Sequence, residues 1–121
     1  MRVDHLAVLE VSGEDRTSWL QGQVTNDVYA YVDGGTMHAF HLDAQGRIKA
    51  EVEAVHSGGA WLLLADATVA TDLVGDLDRR IVMEDVAVRL RPELVVYAAW
   101  GASVESVEAR ARWESDRFGD L

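Results

Sequence analysis

Apolar and polar positions change period several times along the chain, and each change marks an element. Leu6 and Val8 alternate with Ala7, Leu9 and Val11 in a nearly continuous apolar run, which predicts a first strand buried on both faces. Residues 13–21 read as a short helix with Trp19 and Leu20 on its inner edge. Ser12 is its expected N-cap, with Asp15 three residues on in the capping-box position. Gly22 is expected in the left-handed conformation that ends such a helix. Thr25, Asn26 and Asp27 then supply side chains that can bond their own backbone and fix a turn. After a connector ending in Asp33-Gly34-Gly35, alternation over 36–42 and 47–56 predicts a hairpin closed by Asp43-Ala44-Gln45-Gly46. Its register places Met37, Ala39 and His41 on one face with Ile48, Ala50, Val52 and Ala54. His38, Phe40, Lys49, Glu51 and Glu53 fall on the other.

Ser57-Gly58-Gly59 predicts a second tight turn into the apolar strand 61–65, and Asp66 stands where it can cap a helix over 67–80. Val69, Leu73, Leu77 and Ile81 recur there at helical spacing, widened by Ala70 and Val74, with Arg79 and Arg80 in the last turn. Val86, Val88 and Leu90 alternate as a strand, Arg91-Pro92-Glu93 turns, and 94–99 reads as another strand. A last helix over 103–116 would carry Val104, Val107 and Ala111 on one side, with Glu108 and Arg112 as an i,i+4 pair. The order is that of an α+β domain, an antiparallel sheet with two to three helices. The hairpin face and the face of helix 67–80, the two largest apolar surfaces, are expected to pack together.

Composition narrows the function. A length of 121 residues fits a single domain spanning 1–121, and 49% hydrophobic with 26% charged residues is ordinary for a globular chain. No apolar run approaches the ~20 residues that span a bilayer, so a cytoplasmic location is the expectation. The chain has no cysteine, which removes disulfides and any metal or iron–sulfur site built on its own thiolates. Twenty-one acids against eleven bases give a net charge of −10, which opposes direct nucleic-acid binding. His5, His38, His41 and His56 lie on different elements without metal-ligand spacing. The paired glycines are hairpin glycines rather than a phosphate loop, and no serine stands in a nucleophile elbow. Glu51 and Glu53 read as a solvated strand face.

Three blocks in order carry a resemblance: Val-Ser-Gly-Glu-Asp-Arg (11–16), Trp-Leu-Gln-Gly-Gln-Val-Thr-Asn-Asp-Val (19–28) and Leu-Asp-Ala-Gln-Gly-Arg-Ile (42–48). With Gln21, Gly22, Gln23, Thr25, Asn26, Asp27, Gly46 and Arg47 as the motif residues, the chain resembles the YgfZ-type folate-binding proteins over roughly residues 3–105. These are relatives of the glycine-cleavage T-protein, an aminomethyltransferase. The resemblance implies the first part of that architecture, tetrahydrofolate as ligand, and a role assisting iron–sulfur protein maturation or repair. Transferase relatives carry an aspartate at the position matched by Ala50, and alanine can neither orient nor exchange a proton. A non-catalytic role is therefore expected, with a folate-dependent aminomethyl- or methyltransferase and a ligand-free association module as alternatives. Carried over from the family, Ala50, Glu51, Val52 and Asp66 are the candidate folate-binding positions, and Val52, Ala54 and 61–65 would form an apolar wall.

The family normally continues for more than a hundred residues, with a Lys-Gly-Cys-Tyr-x-Gly-Gln-Glu signature that this sequence lacks. Either the chain is a segment of something longer, or it is a short form that self-associates or borrows a partner domain. A homodimer is expected, with Trp100, Trp113 and Phe118 as candidate contacts. Folate binding is expected to be weak, since half of the family cavity would be missing and an acidic chain offers little to hold a carboxylate.

Overall fold

In the computed structural model, which describes residues 2, 3, 5–94, 96 and 97 (side chains for 5–94 only), the early apolar run forms β2 (Leu6–Ser12). It pairs antiparallel with β5 (Ala60–Asp66) on one side and β6 (Ala87–Leu90) on the other. The predicted hairpin forms β3 (Met37–Leu42) and β4 (Ile48–Ser57), and the five strands line up in the order β3-β4-β5-β2-β6. A separate two-stranded ribbon pairs β1 (Arg2–Val3) with β7 (Val96–Tyr97). The expected helix over 103–116, with Trp100, Trp113 and Phe118, lies outside the described residues.

β2 is apolar on both faces because the sheet buries both. Leu9 and Val11 join the main core with Trp61, Leu63 and Ala65, while Val8 and Leu6 meet Val55, Leu62, Leu64 and Leu94 on the reverse side. The helix α2 (Ala67–Arg79) begins where Asp66 accepts a hydrogen bond from the Thr68 amide at 2.9 Å, the predicted cap. It presents Ala70, Leu73 and Leu77 to the main core. Each of those leucines stabilises the fold by about 1.5–3 kcal/mol through burial. The main contacts of α2 are with β6, β2 and β5 rather than with the hairpin. Met37, Ala39, Val52 and Ala54 share the core with α2, and Trp19, Leu20 and Val28 complete it.

Four local expectations are corrected. The first helix, α1, is only Arg16–Gln21, so Ser12 lies outside it and Asp15 takes the N-cap position without a side-chain cap bond. Asp15 instead accepts from the Asp85 amide at 2.8 Å, while its own N–H donates to the Asp85 carbonyl at 3.1 Å. Gly22 is right-handed at φ −83°, because the helix ends through successive i,i+3 bonds from the Gly22 and Gln23 amides rather than a left-handed cap. Ile48 is 62% exposed rather than part of the core face. The ladder pairs His41 with Ala50 but Leu42 with Ile48, so a bulge at the hairpin end breaks the alternation before Ile48.

Candidate functional site

The segment 19–28 is held almost entirely by its own polar side chains. The Gln21 side-chain oxygen accepts from the Val28 amide at 2.8 Å, and the Gln23 side-chain amide donates to the Trp19 carbonyl at 3.2 Å. Asp27 caps the 3-10 helix Val28–Tyr31 by accepting from Tyr29. Thr25 and Asn26 reach further than a local turn. Thr25 exchanges bonds with Phe40, and Asn26 donates to the His38 carbonyl at 2.9 Å. Together they satisfy the outer edge of β3, which would otherwise present unpaired backbone groups.

That docking leaves the Gln23 carbonyl facing a buried imidazole. His41 is 1% exposed; its Nδ1 lies 2.8 Å from the Gln23 carbonyl and its Nε2 2.6 Å from Oδ2 of Asp76 on α2. Asp76 also gathers Lys49 at 3.5 Å, Arg79 at 3.3 Å and Arg80 at 3.6 Å. The hydrogen bond from His41, and behind it the charges of Lys49 and Arg80, hold its carboxyl down at about 2. Each ring nitrogen of His41 therefore faces an acceptor, a backbone carbonyl on one side and a carboxylate on the other. His56 is the opposite case. Arg16 Nε donates to its Nε2 at 3.0 Å, which leaves Nδ1 to donate to the Val32 carbonyl at 2.9 Å.

Beside His41, between the end of the hairpin and α2, lies a cleft of about 100 Å³ lined by His41, Lys49, Ala50, Val69, Asp72, Leu73 and Asp76. Its floor is apolar and its rim is charged. Ligand pockets for whole drug-sized molecules run about 300–1,000 Å³, so this cleft is too small to enclose a ligand of that size. Among the described residues, no three His, Asp or Glu side chains converge to hold a metal ion.

Of the four candidate folate positions, only Ala50 lines this cleft. Val52 is 1% exposed in the main core, as are Ala54 and the inward residues of 61–65, so the expected apolar wall is sealed beneath the helices. Glu51 points away and bonds the His38 ring at 2.8 Å. Asp66 caps α2. Gly46 and Arg47 belong to the hairpin turn, where Gly46 takes φ +82° and Arg47 donates to Asp43 through its amide and its guanidinium. The Arg47 amide is the largest influence holding the Asp43 carboxyl below its usual range.

Lys49, Asp72 and Asp76 were not legible as a site, although a signal existed. Asp76 follows Val69 by seven residues and Leu73 by three, which puts a carboxylate on the apolar stripe of α2, where it needs a partner.

No family model matches the chain. The tRNA-modifying protein YgfZ of Yersinia enterocolitica is 25% identical over 107 residues, covering 88% of this chain and 32% of that protein. Its namesake from Pectobacterium atrosepticum is 26% identical over the same shares. The chain is YgfZ-like. It spans about a third of the length of these relatives. Among solved structures, the glycine cleavage system aminomethyltransferase T from Bartonella henselae superposes with a TM-score of 0.70 at 18% identity, over 78% of this chain and 26% of that one. That likeness establishes the α+β fold of a T-protein segment. No helix among the described residues is long and apolar enough to cross a membrane.

Proposed function

We propose that this YgfZ-like chain is a non-catalytic folate-binding module that holds one end of tetrahydrofolate in the cleft between the hairpin and α2. The relatives it matches are named tRNA-modifying proteins. In this reading the chain contributes to that process indirectly, by assisting the maturation or repair of iron–sulfur proteins, as the sequence resemblance implies. The observation that carries the reading is the cleft beside Ala50, with apolar lining from Ala50, Val69 and Leu73 and charged groups at the rim.

Ala50 also argues against aminomethyl transfer. The side chain at that position has no group to hold or move a proton, and its neighbours Lys49 and His41 are engaged with Asp76. Lys49, Arg79 and Arg80 concentrate positive charge locally in a chain of net charge −10, which gives an anionic ligand a place to approach. A cleft this small buries only part of the ligand, so the expected affinity of the chain alone is roughly millimolar, about −4 kcal/mol. Self-association, or a partner supplying the missing wall, would complete the site.

Titration of the 15N-labelled chain with tetrahydrofolate tests this. Shifts confined to amides around Ala50, Val69 and Leu73, saturating in the millimolar range, are the expected result. No saturable shift at any amide, or shifts centred elsewhere, would overturn the reading.

A further inference from the structure

Ala50 removes the acid from the strand side of the cleft, yet the cleft is not without a free carboxylate. Asp72 enters it from α2, one turn before Asp76. The two acids are in opposite situations. Asp76 is saturated by His41, Lys49, Arg79 and Arg80, whereas Asp72 has no hydrogen-bond or ion-pair partner among the described residues. An exposed helix acid needs no partner to be stable, but this one borders an apolar floor formed by Ala50, Val69 and Leu73. An exposed carboxylate beside such a floor is open to accept the donors that a ligand brings.

We infer that Asp72 is the specificity-determining residue of the cleft, a carboxylate that accepts paired N–H donors from the edge of a flat, 2-aminopyrimidinone-type heterocycle. The chemistry follows from shape and charge. Two parallel N–H groups on a planar edge match two carboxylate oxygens in the same fork geometry that makes guanidinium–carboxylate pairs strong. The ring faces lie against Leu73, Val69 and Ala50, and the narrow cleft admits a ring edge where it cannot admit a long chain. Lys49 also lines the cleft, where it is available to the acidic end of the same molecule. The inference rests on the folate reading above and assigns its pterin end to Asp72.

Net electrostatics and specific recognition predict opposite signs for the same variant. Asp72→Asn removes a negative charge, so if Asp72 only contributes to the field, an anionic folate should bind more tightly to the variant. If Asp72 holds the ring edge, binding weakens, by about five- to tenfold for the loss of hydrogen bonds to a charged acceptor. The substitution is at an exposed helix position, and circular dichroism verifies that the fold is kept.

The experiment compares wild type and Asp72→Asn in titrations with tetrahydrofolate, a tetrahydropterin lacking the tail, and p-aminobenzoylglutamate. The expected result is weaker binding of the first two by the variant, with unchanged or tighter binding of the third. Unchanged or tighter tetrahydrofolate binding by Asp72→Asn overturns the inference and leaves the folate reading standing. Failure of wild type to bind the tetrahydropterin while it binds tetrahydrofolate overturns the inference alone, and failure to bind tetrahydrofolate overturns both.

Discussion

The Nε2 of His41 lies 2.6 Å from Oδ2 of Asp76, and this one contact ties the inner face of β3 to the last turns of α2. Through its other nitrogen, 2.8 Å from the Gln23 carbonyl, the same ring fixes the exit of the 19–28 segment. Three parts of the chain therefore meet at a single buried imidazole, next to the cleft. Removing any one group leaves the others unpaired in a place with little water, which is why the cost of losing a partner exceeds the net value of the bond.

His41→Leu should destabilise the chain by about 2–4 kcal/mol, since it strands the Gln23 carbonyl and removes the shortest hydrogen-bond contact of Asp76. Urea denaturation measures this directly. Combined with Asp76→Leu, the loss should be clearly less than the sum of the single losses, because residues in contact do not act independently.

Stability should carry an acid-side signature of Asp76. Its folded carboxyl sits at about 2, below the ordinary 3.8, so the unfolded chain takes up the proton first on acidification. The contribution is fully present above about pH 4 and is lost as pH falls through about 2. After allowance for solvent screening it amounts to about 1–2 kcal/mol. The difference in denaturation midpoint between wild type and Asp76→Asn should therefore shrink over that window. A difference constant from pH 7 to 2 would exclude the linkage.

Ala50→Asp would restore the acid that transferase relatives carry. Ala50 is 6% exposed and the new carboxylate would stand near Asp72 and Asp76, so a loss of about 1–3 kcal/mol is expected. Thermal melting at neutral pH checks it, and lowering the pH toward 4 should recover part of the loss as the added acid takes a proton.

Gly13 is the least replaceable glycine. It has φ +109°, and a Cβ there would stand 2.2 Å from the Asp85 carbonyl oxygen. Gly13→Ala should cost about 2–4 kcal/mol by combining backbone strain with a clash against main chain. Gly34→Ala also places a Cβ at positive φ, but in open space, and should cost less. Equal melting shifts in the two variants would show that the 13–15 loop does not dock on Asp85.

Periodicity alone determined β2 to β6, the hairpin turns and the capped helix α2, because those features depend on local spacing: period two for Met37, Ala39 and His41, period 3.6 for Val69, Leu73 and Leu77, and a capping side chain at Asp66. The blocks around 19–28 and 42–48 likewise carry the YgfZ resemblance in the sequence itself. Tertiary structure decided the rest. The bulge before Ile48 depends on how the hairpin closes against its partner strand, and local alternation carries no record of it. The path of α2 over β6, β2 and β5 set which wall the helix shares with the cleft. The contacts of Asp15 with Asp85, and of His41 with Asp76, join residues 70 and 35 positions apart. Such pairings arise only when the sheet order brings distant segments together, so the sequence could supply the carboxylates and the imidazole but not which of them would meet.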